Sequence, residues 1–394
     1  MPVIEKIKKS TLMCYLLPLV LIFSYLFILV KKGLIKSSEG YYMIHYLYDY
    51  SHGFVARGLV GEVIRHLTDT VTDEVTYKAV LLFSILLALS SALCIGKALN
   101  AVKDDNERFA FALFLILVAC FLPFSLKAYF IDIRLDKLLW ALTFFAVFLS
   151  GNKAGIFLVP PLCIIATLVN PVFLFCSMIL ISIIMLQRFY SEGYKVTNGI
   201  LCLVAYVSMI AIGLYGLIGQ SKLGFSSPTE MVEYYFSKYS GGMPESQILF
   251  EKEWLFDYFD KGSIILKKAF DIYFVQWENW KNVIFNTVFF ALPVISLLSA
   301  FWVRVIKAER NKFQKFIFFL CLISPVALLF PIVTSWESAK YFANNLLVQL
   351  CLIIYYIATN SEPVVATLSR AKAWFGEHII AGSAAVAYFA FLLV

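Results

Sequence analysis

Charge is scarce in this chain: only 15% of its 394 residues are Asp, Glu, Lys or Arg, against about 25% in a soluble domain. Hydrophobic types make up 61%. That balance excludes a water-soluble globular domain, and it excludes a disordered chain as well. Histidine is scarcer still, at four residues, and none stands in an HExxH or related spacing, so the sequence holds no recognisable zinc motif, although a divalent metal stays open. The eight cysteines (Cys14, Cys94, Cys120, Cys163, Cys176, Cys202, Cys321, Cys351) all fall inside apolar runs and form no CxxC pair. They are packing residues, which leaves no disulfide framework. A Walker-type glycine loop and a GxSxG elbow are both missing. The net charge of +7 calls for no nucleic-acid partner, because basic residues flanking membrane spans account for it.

What the chain does have is a succession of long apolar runs. The first, Thr11 to Val30, holds twenty residues without a charge, enough for a helix to cross about 30 Å of hydrocarbon and too long for the core of a cleaved signal peptide. Further runs lie near 79–96, 109–126, 138–151, 154–168, 171–187, 197–218, 283–303, 316–333, 342–358 and 379–394. The expected fold is all-α and polytopic, a single transmembrane domain of about eleven helices over residues 1–394. Asn170 and Pro171 interrupt the runs of 154–187, which reads either as two spans or as a re-entrant hairpin.

Basic residues orient the chain. Lys6, Lys8 and Lys9, then Lys97, Lys103 and Arg108, then Arg304, Lys307, Arg310, Lys312 and Lys315 alternate with loops poor in Lys and Arg. This pattern puts the N-terminus in the cytoplasm of an inner or plasma membrane. Lys31, Lys32 and Lys36 run against it but belong to a longer loop, where the rule weakens. Four polar segments then share the external side: 31–78, 127–137 ("KAYFIDIRLDK"), 219–282 and 335–345 ("SWESAKYFANN").

In the first segment, Val55, Leu59, Val63 and Leu67 recur every four residues, the spacing of a short helix lying in the membrane interface, with Gly53, Gly58 and Gly61 allowing close packing. Asp49 precedes it, either as a helix cap or as a carboxylate held at the surface to deprotonate an acceptor hydroxyl. The second segment sets Asp132, Arg134 and Asp136 at alternate positions; Arg134 and Lys137 either neutralise the acids as interfacial anchors or serve a site. Only three arginines, Arg57, Arg65 and Arg134, are external by this reading, and an arginine fork suits phosphate. His52 sits beside Asp49. Trp336, Glu337, Lys340 and Tyr341 form a third cluster, where Lys340 can meet a phosphate and Trp336 and Tyr341 also fit as interface anchors.

A first span, an external loop with an acid and amphipathic helices, and a second acidic motif ahead of the fourth span ("IDIRLDKLLWALTFF") resemble the GT-C class of polytopic glycosyltransferases. The proline-containing "ATLVNPVFLF" is similar to the short mid-chain hairpin of such proteins. The resemblance implies a polyprenyl-phosphate or -pyrophosphate sugar donor, Asp49 as catalytic base, and Asp132 or Asp136 as the second acid. An adjacent Asp-Glu pair, a WWDYG-type sequence and a large C-terminal domain are all lacking, which points away from oligosaccharyl transfer. Arg57, Arg134, Lys340 and their neighbours His52, Glu337 and Tyr341 would bind the donor, with membrane lipid and partners in cell-envelope assembly around it. Transport or flipping of a lipid-linked or small polar substrate, polymerisation of polysaccharide repeat units, and a purely structural subunit role are the alternatives.

Overall fold

The computed structural model describes residues 2–37, 40–55, 57–102, 126–171, 173–219, 224–241, 277–288, 292–328 and 338–378, with a few isolated positions between them. Among the described residues all regular structure is helical. The spans expected at 109–126 and 379–394, and Trp336 and Glu337, lie outside the described residues.

The helices are α1 (Pro2–Lys31), α2 (Ile44–Leu47), α3 (Gly58–Leu67), α4 (Asp73–Ala101), α5 (Leu126–Ile131), α6 (Asp136–Ser150), α7 (Val159–Val169) and α8 (Phe173–Ser191). They continue with α9 (Val196–Gly219), α10 (Pro228–Ser237), α11 (Trp277–Asn286), α12 (Leu292–Ala308), α13 (Lys312–Ile323), α14 (Ser338–Ala358) and α15 (Glu362–Glu377). Four described stretches are long and apolar enough to cross a membrane: Thr11–Lys31, Asp73–Ala101, Val196–Tyr215 and Lys340–Ala358. Their burial ranks them, from 89% of the window for α14 to 17% for α9, so α14 is an inner helix and α9 a peripheral one.

Side-chain contacts identify the two ends of the bundle. At one end Lys97 Nζ donates to the Phe148 carbonyl (2.7 Å) and to Asn152 Oδ1 (3.0 Å), joining the C-terminal ends of α4 and α6. At the other end Asp136, the first residue of α6, receives Asn170 from the end of α7 and Lys340 from the start of α14. The break at Asn170 and Pro171 is therefore a turn between two antiparallel helices, and it brings Asn170 to the second acidic motif. Lys137 does not reach the interface as an anchor. It is buried, and its Nζ donates to Ser84 Oγ (3.1 Å) and the Phe130 carbonyl (3.2 Å); the latter satisfies a carbonyl at the end of α5 that has no intrahelical partner.

The interfacial helix differs from its sequence expectation in start and in face. It begins at Gly58, because Arg57 holds a left-handed backbone (φ 70°) that no helix continues through. Its buried face is Gly58, Val60, Gly61 and Ile64, while Val63 and Leu67 are 51% and 80% exposed. The glycines set that face. A Cβ at Gly58 would come within 2.7 Å of the Tyr50 ring, and one at Gly61 would overlap the Tyr48 carbonyl. Asp49 is accordingly no cap for α3. Gly61→Ala is expected to push α3 off the 47–48 backbone and to cost about 1–3 kcal/mol or more, as overpacking does. A thermal melt in detergent would read this; an unshifted midpoint would mean the contact is not tight.

Candidate functional site: a cation cluster at the first-loop end

Arg57, Arg134 and Lys340 come from three segments far apart in sequence and meet at one end of the bundle. The left-handed turn at Arg57 directs its guanidinium to His45, and Nη1 donates to His45 Nε2 at 3.1 Å. Burial first, then Arg57, Lys340 and Arg134, push His45 well below its ordinary range, so it is a neutral acceptor at physiological pH. Arg134 lies 4.7 Å over the Tyr42 ring and pairs with Asp132 Oδ1 (3.2 Å), whose oxygen also accepts the Arg134 backbone N–H (3.0 Å). Lys340 pairs with Asp136 Oδ2 at 2.6 Å, and Asn170 Nδ2 donates to the other oxygen at 2.8 Å.

The two acids of the second motif thus differ. Asp136 is enclosed, with one oxygen on an ammonium and the other on an amide, and it fixes Lys340. Asp132 keeps 17% of its side chain exposed. Burial, partly offset by Arg134, pushes its carboxyl above the ordinary carboxylate range. A partly accessible carboxylate of raised pKa beside three cations can accept a proton while the cations hold an anion.

Beneath the cluster, Tyr129 and Trp140 both donate to Asn344 Oδ1, the latter at 2.9 Å, one turn below Lys340. Tyr341 is buried beside it. Tyr46 donates to the Ile133 carbonyl at 2.8 Å and ties the first loop to the acidic turn.

Asp49 shares this end but faces elsewhere. Its side chain is 1% exposed and pairs with Lys238 Nζ at 2.5 Å and, at 3.5 Å, with Arg65 Nε. Ser51 Oγ donates to its other oxygen at 2.5 Å, as does the Ser51 backbone N–H at 3.1 Å. Burial opposes ionisation of Asp49, yet Lys238 and the Ser51 donors outweigh it and hold the carboxyl below its ordinary range. Lys238 follows α10, in the long loop. The same segment is fastened by Tyr235 OH to the Asp49 carbonyl (3.2 Å), by the Tyr234–Ser51 hydroxyl contact (2.9 Å) and by a parallel bridge between Val71 and Tyr239. His52 packs between Phe225 and Tyr234, each ring centroid 4.4 Å away. Asp49 and His52 therefore clamp the long loop onto the first, while Arg57, Asp132, Arg134, Asp136 and Lys340 form the cluster.

Asn170 and Lys238 belong to this end without having been singled out as site residues from the sequence. Asn170 carried a signal, as the polar residue in the break of an apolar hairpin. Lys238 carried none that separates it from the other lysines of its loop. Among the described residues, no three of His, Cys, Asp and Glu gather as a metal-ligating set.

Residues 15–169 match the model of a family described as "Uncharacterised membrane protein Rv1490". This is a helical membrane protein. The match spans α1 to α7 and takes in Asp49, Arg57, Asp132, Arg134 and Asp136, but neither Lys238 nor Lys340. No curated protein and no solved structure matches the chain.

Proposed function

We propose that the protein is a membrane glycosyltransferase that moves a sugar from a polyprenyl-phosphate or -pyrophosphate donor to an acceptor hydroxyl at the external face. The observation that carries this reading is the convergence of Arg57, Arg134 and Lys340 beside a partly accessible carboxylate, at the end of the bundle opposite Lys97. Arginine forks and an ammonium suit phosphate oxygens, and a position at the ends of apolar helices suits a headgroup whose chain stays in the bilayer.

In this reading Asp132 takes the acceptor proton, the acceptor oxygen bonds to the anomeric carbon, and the bond from that carbon to the phosphate oxygen breaks. The electron pair goes to the departing lipid phosphate, where the three cations stabilise it. Asp136 and His45 position Lys340 and Arg57. Asp49, enclosed and paired, fastens the long loop to the first one and leaves the role of base to Asp132. Fixing a lipid-borne donor and a polar acceptor in one place supplies much of the rate by itself.

Transport of a lipid-linked substrate is the second reading, favoured by the discontinuity at Asn170 and its bond to Asp136. The test is reconstitution of the full chain in vesicles with a panel of radiolabelled polyprenyl-linked sugars. Formation of a glycosylated acceptor together with free polyprenyl phosphate supports transfer. Movement of intact donor between leaflets without cleavage supports transport and overturns the transferase reading.

A further inference from the structure

An open groove runs between α12, the end of α13 and α14, the kind of place between helices where small-molecule sites occur. Leu298, Trp302, Phe342 and Leu346 wall it. It stands apart from the cation cluster and from the transferase reading, because Lys340 and Asn344 occupy one face of α14 while Asn345 and Gln349 occupy another.

Ser299, Asn345 and Gln349 are polar residues of the groove, and the two amides differ in their bonding. Gln349 is satisfied: its amide donates to the Cys321 carbonyl (3.1 Å) and Ser324 Oγ (2.8 Å), and its oxygen accepts from Trp302 Nε1 (2.5 Å). Asn345, one turn nearer the cluster end, is 5% exposed. Its Nδ2 points to the Pro325 carbonyl at 3.5 Å, which orients the amide, and its Oδ1 is buried without a hydrogen-bond partner among the described residues. A buried acceptor left unmatched is costly, and a donor brought into this apolar groove would match it.

We propose that this groove binds a lipid-class ligand whose hydroxyl donates to Asn345 Oδ1. An apolar body fits the walls, a hydroxyl donor fits the unmatched Asn345 acceptor, and a charged headgroup finds no counter-ion among the lining residues.

The test uses the full chain in nanodiscs and two photoreactive probes: a sixteen-carbon alcohol carrying a diazirine and an alkyne along its chain, and the methyl ether of the same molecule. The alcohol is expected to label peptides of α12 and α14 at the groove about two- to tenfold more than the ether, the range one neutral hydrogen bond contributes. Asn345→Leu should make the two probes equal, and Leu298→Trp, which fills the groove, should abolish labelling by both. Equal labelling by alcohol and ether in the wild-type chain would overturn the proposal and assign Asn345 to a water molecule. Labelling confined to other helices would overturn it as well. Because the probe pair is compared on the wild-type chain, the result stands even where a variant fails to fold.

Discussion

Asp132→Asn is expected to lower sugar transfer by roughly 10² to 10⁴, the contribution of a positioned general base. The substitution is nearly isosteric, and the amide oxygen still accepts the Arg134 backbone N–H that now reaches Oδ1 at 3.0 Å, so donor binding should hold. Asp136→Asn should act differently, by loosening Lys340, and should raise KM more than it lowers kcat. The pH profile adds a second readout. A base works only when deprotonated, and burial raises the Asp132 carboxyl above its ordinary range. The acid limb of kcat/KM should therefore fall at a pH above that of an unperturbed aspartate, near 3.9. In Asp132→Asn that limb should vanish. Full activity in the variant would remove Asp132 from the chemistry.

Lys238→Met is expected to release the long loop from the first one. The Asp49 side chain is 1% exposed and its closest cation is Lys238, and removing one partner of a buried pair costs about 3–5 kcal/mol because the other charge stays buried. Hydrogen exchange should rise over 224–241 and 46–52, while the helices around α4 and α14 keep their protection. Asp49→Asn in the Lys238→Met background should recover much of the loss, since no buried charge remains. The sign of the pH dependence follows from the lowered carboxyl. The stability this pair contributes is present above the unfolded aspartate pKa, and it is lost as pH falls through the lower folded value. The loop thus stays fastened at neutral pH and opens only under strong acid. Additive losses from Lys238→Met and Asp49→Asn would show that the two do not act together.

The long helices α1, α4, α9 and α14 were legible from hydrophobic run length, since a bilayer demands it. Their facing was not. Val63 and Leu67 continue the apolar spacing of α3 yet are exposed, while Gly58 and Gly61 pack inward. Lipid is as apolar as a leucine side chain, so an apolar stripe does not mark the protein-facing side, and small residues decide it instead. The cluster itself was partly legible. Arg57, Arg134 and Lys340 stood out as cations near acids in segments expected to share one side of the membrane. The partner of Asp49 could not be read, because Lys238 reaches it across a loop whose path no periodicity encodes. The start of α3 was hidden for a related reason: only the observed φ of Arg57 reveals that the chain reverses there.

That left-handed arginine makes the most direct measurement possible. A non-glycine residue at φ 70° carries strain, so Arg57→Gly should leave thermal stability unchanged or higher while removing one of the three cations. The affinity of the purified protein in nanodiscs for polyprenyl phosphate, by titration with a radiolabelled lipid, is expected to fall about 10- to 100-fold in Arg57→Gly and in Arg134→Gln, the range of a hydrogen bond to a charged group. Neutral polyprenol should bind the variants and the wild type alike. Unchanged affinity for polyprenyl phosphate in both folded variants would contradict the assignment of this cluster to a lipid phosphate.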